Sequence, residues 1–480
     1  MIEKTEFYID GAWHAPRDGR THQVINPSTE EACATISLGG QADTDAAVAA
    51  ARAALPGWMA TPVEERIAYI EKVLEVYKTR GEDMAQAISA EMGAPIHLAR
   101  QSQVGAGSFH ITNFLKAARE FEFDAPLGDH APNDRIIHEP VGVVGMITPW
   151  NWPMNQITLK VIAGLVAGCT MVLKPSEESP LNAVVFAEIL HEAGLPKGVF
   201  NLVNGDGPGV GSQISAHPDI DMVSFTGSAR AGKLIAKSAA DTLKRVSLEL
   251  GGKGANLIFA DADEKAVKRG VMACMNNTGQ SCNAPTRMLV QRERYDHAVD
   301  EAAEVAASIK VGPAHEDGRH IGPVVNEVQF NKVQDLIQTG IDEGARLVAG
   351  GTGRPEGFNK GYYVRPTVFA DVTNDMTIAR EEIFGPVLSI IPFETEEEGL
   401  AIANDTPYGL TNYVQTGDPA RANRLARGLR SGMVEMNGKS RGAGAPFGGM
   451  KQSGYGREGG KWGIEDFLEV KAVSDWTPGA

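Results

Sequence analysis

The chain has 480 residues, too many for one hydrophobic core, so two or three domains are expected. Its 45 Lys and Arg against 61 Asp and Glu leave a net charge of −16, which argues against a nucleic-acid or anionic-membrane partner. The N-terminal "MIEKTEFYIDGAW" lacks the basic and apolar regions of a secretory signal, and no apolar run reaches the length of a membrane span.

The first third reads mostly helical. "TPVEERIAYIEKVLEVYKTRG" places Thr61 as N-cap and Pro62 at the first helical position, and Gly81 ends the pattern. "EFEFDAPLGDHAPNDRIIHEP" alternates with period two around a turn and predicts a hairpin, with which the C-terminal tail can pair. From Val141 strands and helices alternate. Strand "VGVVGMITP" precedes a helix from about Met154 to Ala167, then come "CTMVLKP", helix "SPLNAVVFAEILHEAG", "GVFNLV", a glycine-rich turn, "MVSFTG", helix "SARAGKLIAKSAA" and "RVSLEL". Such alternation means βαβ units and a doubly wound parallel sheet. A second series starts at "GANLIF", runs through a helix into Cys274, and continues in "YYVRPTVF", "PVLSIIPF", a helix at Asp418–Pro419 and "SGMVEMN". The fold class is therefore α/β.

Ligands of open parallel sheets bind beyond the carboxyl ends of the strands. Asn151, Lys174 and Glu177, the Gly205–Gly211 turn with Gly209, Thr226-Gly227-Ser228, and Glu249 all fall at such ends. Glu249, between Leu248 and Leu250, is costly to bury unless paired or kept for proton chemistry. The four cysteines, Cys33, Cys169, Cys274 and Cys282, include no CxxC pair and no histidine neighbours. They form neither a disulfide framework nor a metal site, so a reduced, cytoplasmic enzyme without a metal is expected. Cys169 and Cys274 sit in apolar surroundings as small hydrophobes do. Cys282, in "NTGQSCNAPTR", does not, and a nucleophile needs such an open loop. A thiolate, a carboxylate base and an amide donor are the parts of acyl chemistry at a carbonyl.

The segments "TPWNWP", "KPSEESP", "FTGS", "LELGGK", "GQSCNAPTR", "EEIFGPV" and "PFGGMKQSGYGREGG", in this order, resemble the aldehyde dehydrogenase superfamily over essentially the whole chain. The resemblance implies two doubly wound domains plus a protruding hairpin. Residues 1–120 and 140–251 would bind the dinucleotide, 252–450 would carry catalysis, and 121–139 with 451–480 would form the contacts of a homodimer or homotetramer. It implies Cys282 as nucleophile, Asn151 with the Cys282 backbone N–H as oxyanion donors, and Glu249 as base for the water that releases the acid. Lys160 is similar to a family lysine near the proton path. Lys174 and Glu177 resemble the pair on the adenosine ribose, which favours NAD and leaves NADP possible. Ser228 and Trp150, with Gly227 and Gly209, would lie along the pyrophosphate, Glu382 on the nicotinamide ribose and Phe384 beside it. The glycine-rich "PFGGMKQSGYGREGG" run is expected to be structural.

Relatives that pass the acyl group to coenzyme A generally lack the glutamate, so Glu249 implies hydrolysis. A thioester hydrolase with no redox step would leave Lys174, Glu177 and Glu382 without purpose. The substrate pocket is expected near Trp152, Met154, Ser281, Asn283 and the loop "NGKSRGAGAPF". In that loop Lys439 and Arg441 are either solvated or positioned to favour a semialdehyde with a distal carboxylate.

Overall fold

The computed structural model describes residues 1–17 and 19–476. Five parallel strands lie in the spatial order Arg245–Glu249, Met222–Thr226, Val143–Ile147, Thr170–Lys174 and Phe200–Leu202. The middle three are buried at every residue, as strands covered on both faces by crossover helices must be. Helix Pro153–Ala167 is one cover: every residue of it except Asn155 is buried, and it starts on a proline whose missing N–H is no loss at that position.

Val143–Ile147 is the point where the winding reverses. The chain runs outward from it through Thr170–Lys174 and Phe200–Leu202, then returns to lay Met222–Thr226 on its other side. That reversal opens a crevice beyond the carboxyl ends of Val143–Ile147 and Met222–Thr226. Antiparallel strands extend both edges: Phe7–Ile9 and Ala12–His14 at one, Gly454–Tyr455 at the other.

The second sheet runs Arg346–Ala349, Thr367–Ala370, Val387–Phe393, Arg287–Gln291, Ala255–Ile258, Thr411–Gln415 and Met433–Met436, parallel except for its first strand. A hairpin of Asp124–Gly128 and Ala131–Pro140 stands apart from both sheets. Leu468–Val473 pairs along its longer arm, from Leu468 opposite Pro140 to Val473 opposite Arg135.

Several expectations change. The first third is helical from Gln41 to Glu120 as expected, but ahead of those helices Ile2–Lys4, Glu31–Leu38 and Arg20–Asn26 form a small sheet of their own. Thr61 ends the preceding helix, Gln41–Ala60, its hydroxyl donating back to the Gly57 carbonyl at 2.9 Å. Pro62 is extended at ψ 148°, so the next helix starts at Val63. Gly81 opens the helix Gly81–Met92 and ends nothing. In the second sheet, the central Arg287–Gln291 and Thr411–Gln415 are strands that the chain-order reading passed over. Gly454–Tyr455 pairs with Arg245–Glu249, across the boundary drawn at residue 450.

Candidate active site

At the crevice, Trp150, Asn151, Gly227, Ser228, Glu249, Cys282, Glu382 and Phe384 line one cavity of about 220 Å³. They come from both domains, the first five from strand ends of the first sheet. The Trp150 and Phe384 rings meet edge to face with centroids 5.4 Å apart. Ser228 caps the helix Ala229–Ala239, its Oγ accepting from Ala231 N–H at 3.2 Å, and the first-turn N–H groups there suit an anion. Thr226 Oγ1, buried on the cavity wall, has no partner among the described residues.

Lys174 and Glu177 lie off this cavity. Lys174 Nζ donates to Glu177 Oε2 at 3.2 Å and to the Gly205 carbonyl at 2.6 Å, tying the second strand end to the glycine-rich turn. Gly209 lines none of the cavities described here. Its N–H is spent on Asp206 Oδ1 at 2.6 Å, and Asp206 is in turn held by Arg20 at 2.6 Å. Its neighbours Gly207, Pro208 and Gly211 do line a third, more apolar cavity of about 350 Å³ with Ile147, Phe225 and Leu234.

The loop that presents Cys282 is held in an unfavourable backbone shape. Asn277, Thr278 and Gly279 have φ of 51°, 57° and 74°, three left-handed residues in a row. Isolated side chains rarely choose this region, and such strain collects at working sites. It is fixed by bonds to distant segments: Asn277 Nδ2 to the Asn151 carbonyl at 2.9 Å and Thr278 Oγ1 to the Gly322 carbonyl at 3.0 Å. A Cβ on Gly279 would stand 2.0 Å from the Gly385 carbonyl oxygen, and one on Gly252 2.4 Å from the Cys282 carbonyl oxygen. Asn151 itself donates from Nδ2 to the Gln280 carbonyl at 3.0 Å, which aims its amide at this loop.

The electrostatics are the reverse of what an activated thiol usually shows. Enclosure raises the Cys282 thiol to about 12, helped by the carboxylates of Glu382 and Glu249. Glu249 ends its strand 3% exposed with neither carboxylate oxygen partnered among the described residues. Burial first, then the charge of Glu458, holds its carboxyl well above the usual range, against the pull of Lys160 and Arg457. Burial likewise raises Glu382, although its Oε1 accepts from Gly252 N–H at 3.0 Å. A carboxyl whose pKa is raised is a stronger base once it ionises, which suits a general base at this position.

Lys160 is buried in the helix Pro153–Ala167 and its Nζ meets Glu458 Oε1 at 2.5 Å. Sequence reasoning missed Glu458, which lies in the glycine-rich run expected to be only structural. The signal was Lys160 itself: a lone lysine in an apolar helix demands a buried anion. Also missed were Lys332 and Gln329, which line the smaller cavity and donate to the carbonyls of Glu382 (2.7 Å) and of Ile383 and Phe384 (2.9 and 2.8 Å). Phe384 needs that support, because its φ is 59°.

On the other side of Cys282 opens a second cavity of about 440 Å³. Trp152, Ser281 and Asn283 line it, as does the loop from Ser440 to Phe447; Met154 is instead packed in the core. Lys439 is exposed and outside the lining, whereas Arg441 is on it. Cys282 is the residue common to the two linings.

A doubly wound sheet whose crevice converges with a second cavity on one cysteine defines a dinucleotide-linked oxidoreductase of the α/β class. The family model of the aldehyde dehydrogenase family matches residues 13–473. The chain is 52% identical to 3-succinoylsemialdehyde-pyridine dehydrogenase of a Pseudomonas species, over 98% of this chain and 99% of that one. Among solved structures, an aldehyde dehydrogenase from Bartonella henselae is 59% identical with a TM-score of 0.98, covering 99% of this chain and 100% of the other. Aldehyde dehydrogenase C of Pseudomonas syringae, a mutant complexed with NAD+ and octanal, is 50% identical with a TM-score of 0.96, covering 99% and 98%. The chain belongs to the aldehyde dehydrogenase family.

Proposed function

We propose that this enzyme oxidises an aldehyde to its carboxylic acid with NAD, using Cys282 as nucleophile. One observation carries the reading: Cys282 is where the crevice-side cavity and the second cavity meet. Substrate carbon and hydride acceptor can therefore approach one sulfur from opposite sides.

The residues at the crevice fit a dinucleotide. The capped helix N-terminus at Ser228 suits a pyrophosphate, and Glu177 beside Lys174 would accept from ribose hydroxyls while repelling a 2′-phosphate. That repulsion favours NAD over NADP, and the relative from Pseudomonas syringae was solved with NAD+. Glu382 and Phe384 would receive the nicotinamide end. When bound, NAD+ supplies the acceptor for the hydride leaving the substrate carbon.

Cys282 must give up its proton before attack, and the raised carboxyl of Glu249 is the base within the same cavity. Sulfur then adds to the aldehyde carbon. The resulting oxyanion is received by the Asn151 amide and the Cys282 N–H. After oxidation the acyl group remains on Cys282 as a thioester. Glu249 must first release the proton it took from Cys282; it then takes one from the water that attacks the thioester, which frees the acid and leaves Cys282 as a thiolate. Lys160 and Glu458 lie behind Glu249 and would pass that proton outward.

The exposed hairpin, with Leu127 and Val470 on its surface, is the element we assign to self-association as a dimer or tetramer. Among the described residues no helix is long and apolar enough to cross a membrane, and all four cysteines are free, which suits the cytoplasm.

NADH formation with a panel of aldehydes tests the reading. Cys282→Ala should abolish turnover. Glu249→Gln should release at most one equivalent of NADH per site and then stall, with steady-state turnover down about a thousandfold. Full activity in Cys282→Ala would refute it.

A further inference from the structure

The larger cavity carries polar side chains but, among the described residues, no free cation on its lining. Arg441 Nε lies 3.1 Å from Glu435 Oε1, and its guanidinium sits 4.8 Å from the Phe447 ring centroid. Glu458 is committed to Lys160. A distal carboxylate on the substrate would find no unpaired cation on this lining, and Lys439 lies outside it.

What the lining does offer is a neutral pair. His110 Nε2 is 2.7 Å from Asn155 Oδ1. Burial lowers the affinity of His110 for a second proton, so the ring donates from Nε2 as a neutral imidazole. Glu458 and Arg441 are the charged groups that face it, and they act in opposite directions. Asn155 Oδ1 is thus occupied, and its Nδ2 keeps no protein acceptor among the described residues. Asn155 is also the one residue of its helix that is not buried, because it opens onto the cavity. A plain alkyl chain filling the cavity would leave the Asn155 amide without an acceptor, and a site with an unmatched polar group discriminates against the ligand that fails to match it.

We infer that the aldehyde oxidised here carries a second, uncharged hydrogen-bond acceptor, such as a ketone carbonyl or a neutral ring nitrogen, received by Asn155 Nδ2. His110 is the positioning residue that fixes the amide's orientation. The inference rests on the aldehyde oxidation proposed above and narrows its substrate.

The test compares kcat/KM for three aldehydes of matched length: n-alkyl, ketone-bearing and ω-carboxylate. The wild type is expected to favour the ketone over both others by about tenfold, the worth of one matched hydrogen bond in a partly desolvated site. Asn155→Leu should collapse the ketone-to-alkyl ratio. His110→Phe should lower it, and His110→Gln, which can still donate to Asn155, should keep most of it. Because each ratio is read on one preparation, loss of folded enzyme cancels. A wild type that turns over but favours the alkyl or carboxylate aldehyde overturns the inference alone, as does Asn155→Leu with an unchanged ratio. A wild type that forms no NADH with any aldehyde overturns the parent reading, and this one with it.

Discussion

The two cavities that meet at Cys282 are built in opposite ways. The crevice side collects strand ends from one sheet and carries buried carboxyls held above their usual range: Glu249, without a hydrogen-bond partner among the described residues, and Glu382. The other side is assembled from the helices Val104–Glu120 and Pro153–Ala167 and a distant loop, and its charges are paired or its polar groups neutral. Of the residues at positive φ, Phe384 stands on the crevice side, while Asn277 and Thr278 carry the loop that presents Cys282 between the two cavities. The raised carboxyls are thus kept on the crevice side, next to Cys282.

The contrast can be broken first at its backbone. Gly279→Ala puts a methyl 2.0 Å from the Gly385 carbonyl at a φ of 74°, so the nucleophile loop must rearrange. Activity should fall by roughly a thousandfold with a lower Tm, whereas Gly442→Ala, with open space on the substrate side, should leave Tm within about a degree. A variant Gly279→Ala with native Tm and kcat would show that the strain has no role.

Lys160→Met isolates the cost of an unpaired charge. It leaves Glu458 buried without its cation, and denaturant unfolding should show a loss of about 3–5 kcal/mol. Little change would mean that water already reaches that pair.

Cofactor choice sharpens the crevice side alone. Glu177→Ala removes the carboxylate next to Lys174 and should raise KM for NAD while lowering KM for NADP, each by about tenfold, with the ranking of aldehydes unchanged. A changed aldehyde ranking would mean that the two cavities are not independent.

The smallest effect lies in pH. Glu249 works as a base only when ionised, and burial and Glu458 hold its pKa high, so kcat should climb with pH through that raised value. Glu458→Gln removes a negative neighbour and frees the charge of Lys160, both of which favour ionised Glu249. The acid limb of the kcat profile should therefore move to lower pH. A shift to higher pH, or none, would separate Glu458 from the proton path.

Much of this was legible beforehand, for local reasons. Helix Pro153–Ala167 was readable within a residue or two because a proline start and an apolar run fix it from within. The crevice residues were readable because a parallel sheet sends every strand end to one edge. Thr61 and Gly81 misled because a residue before proline and a glycine after a helix have two uses each, and only the neighbouring helices choose between them.

Local pattern was enough for the α/β alternation and the chemical parts: a cysteine in an open loop, a carboxylate among leucines, an amide at a strand end. Periodicity and motif act over a few residues, so no tertiary knowledge was needed. It took the packed chain to show that Lys160 finds Glu458 across 298 positions and that His110 meets the Asn155 side chain on the cavity lining. Those pairings depend on how distant segments pack, and local pattern holds no record of which polar group will face which in the dry interior.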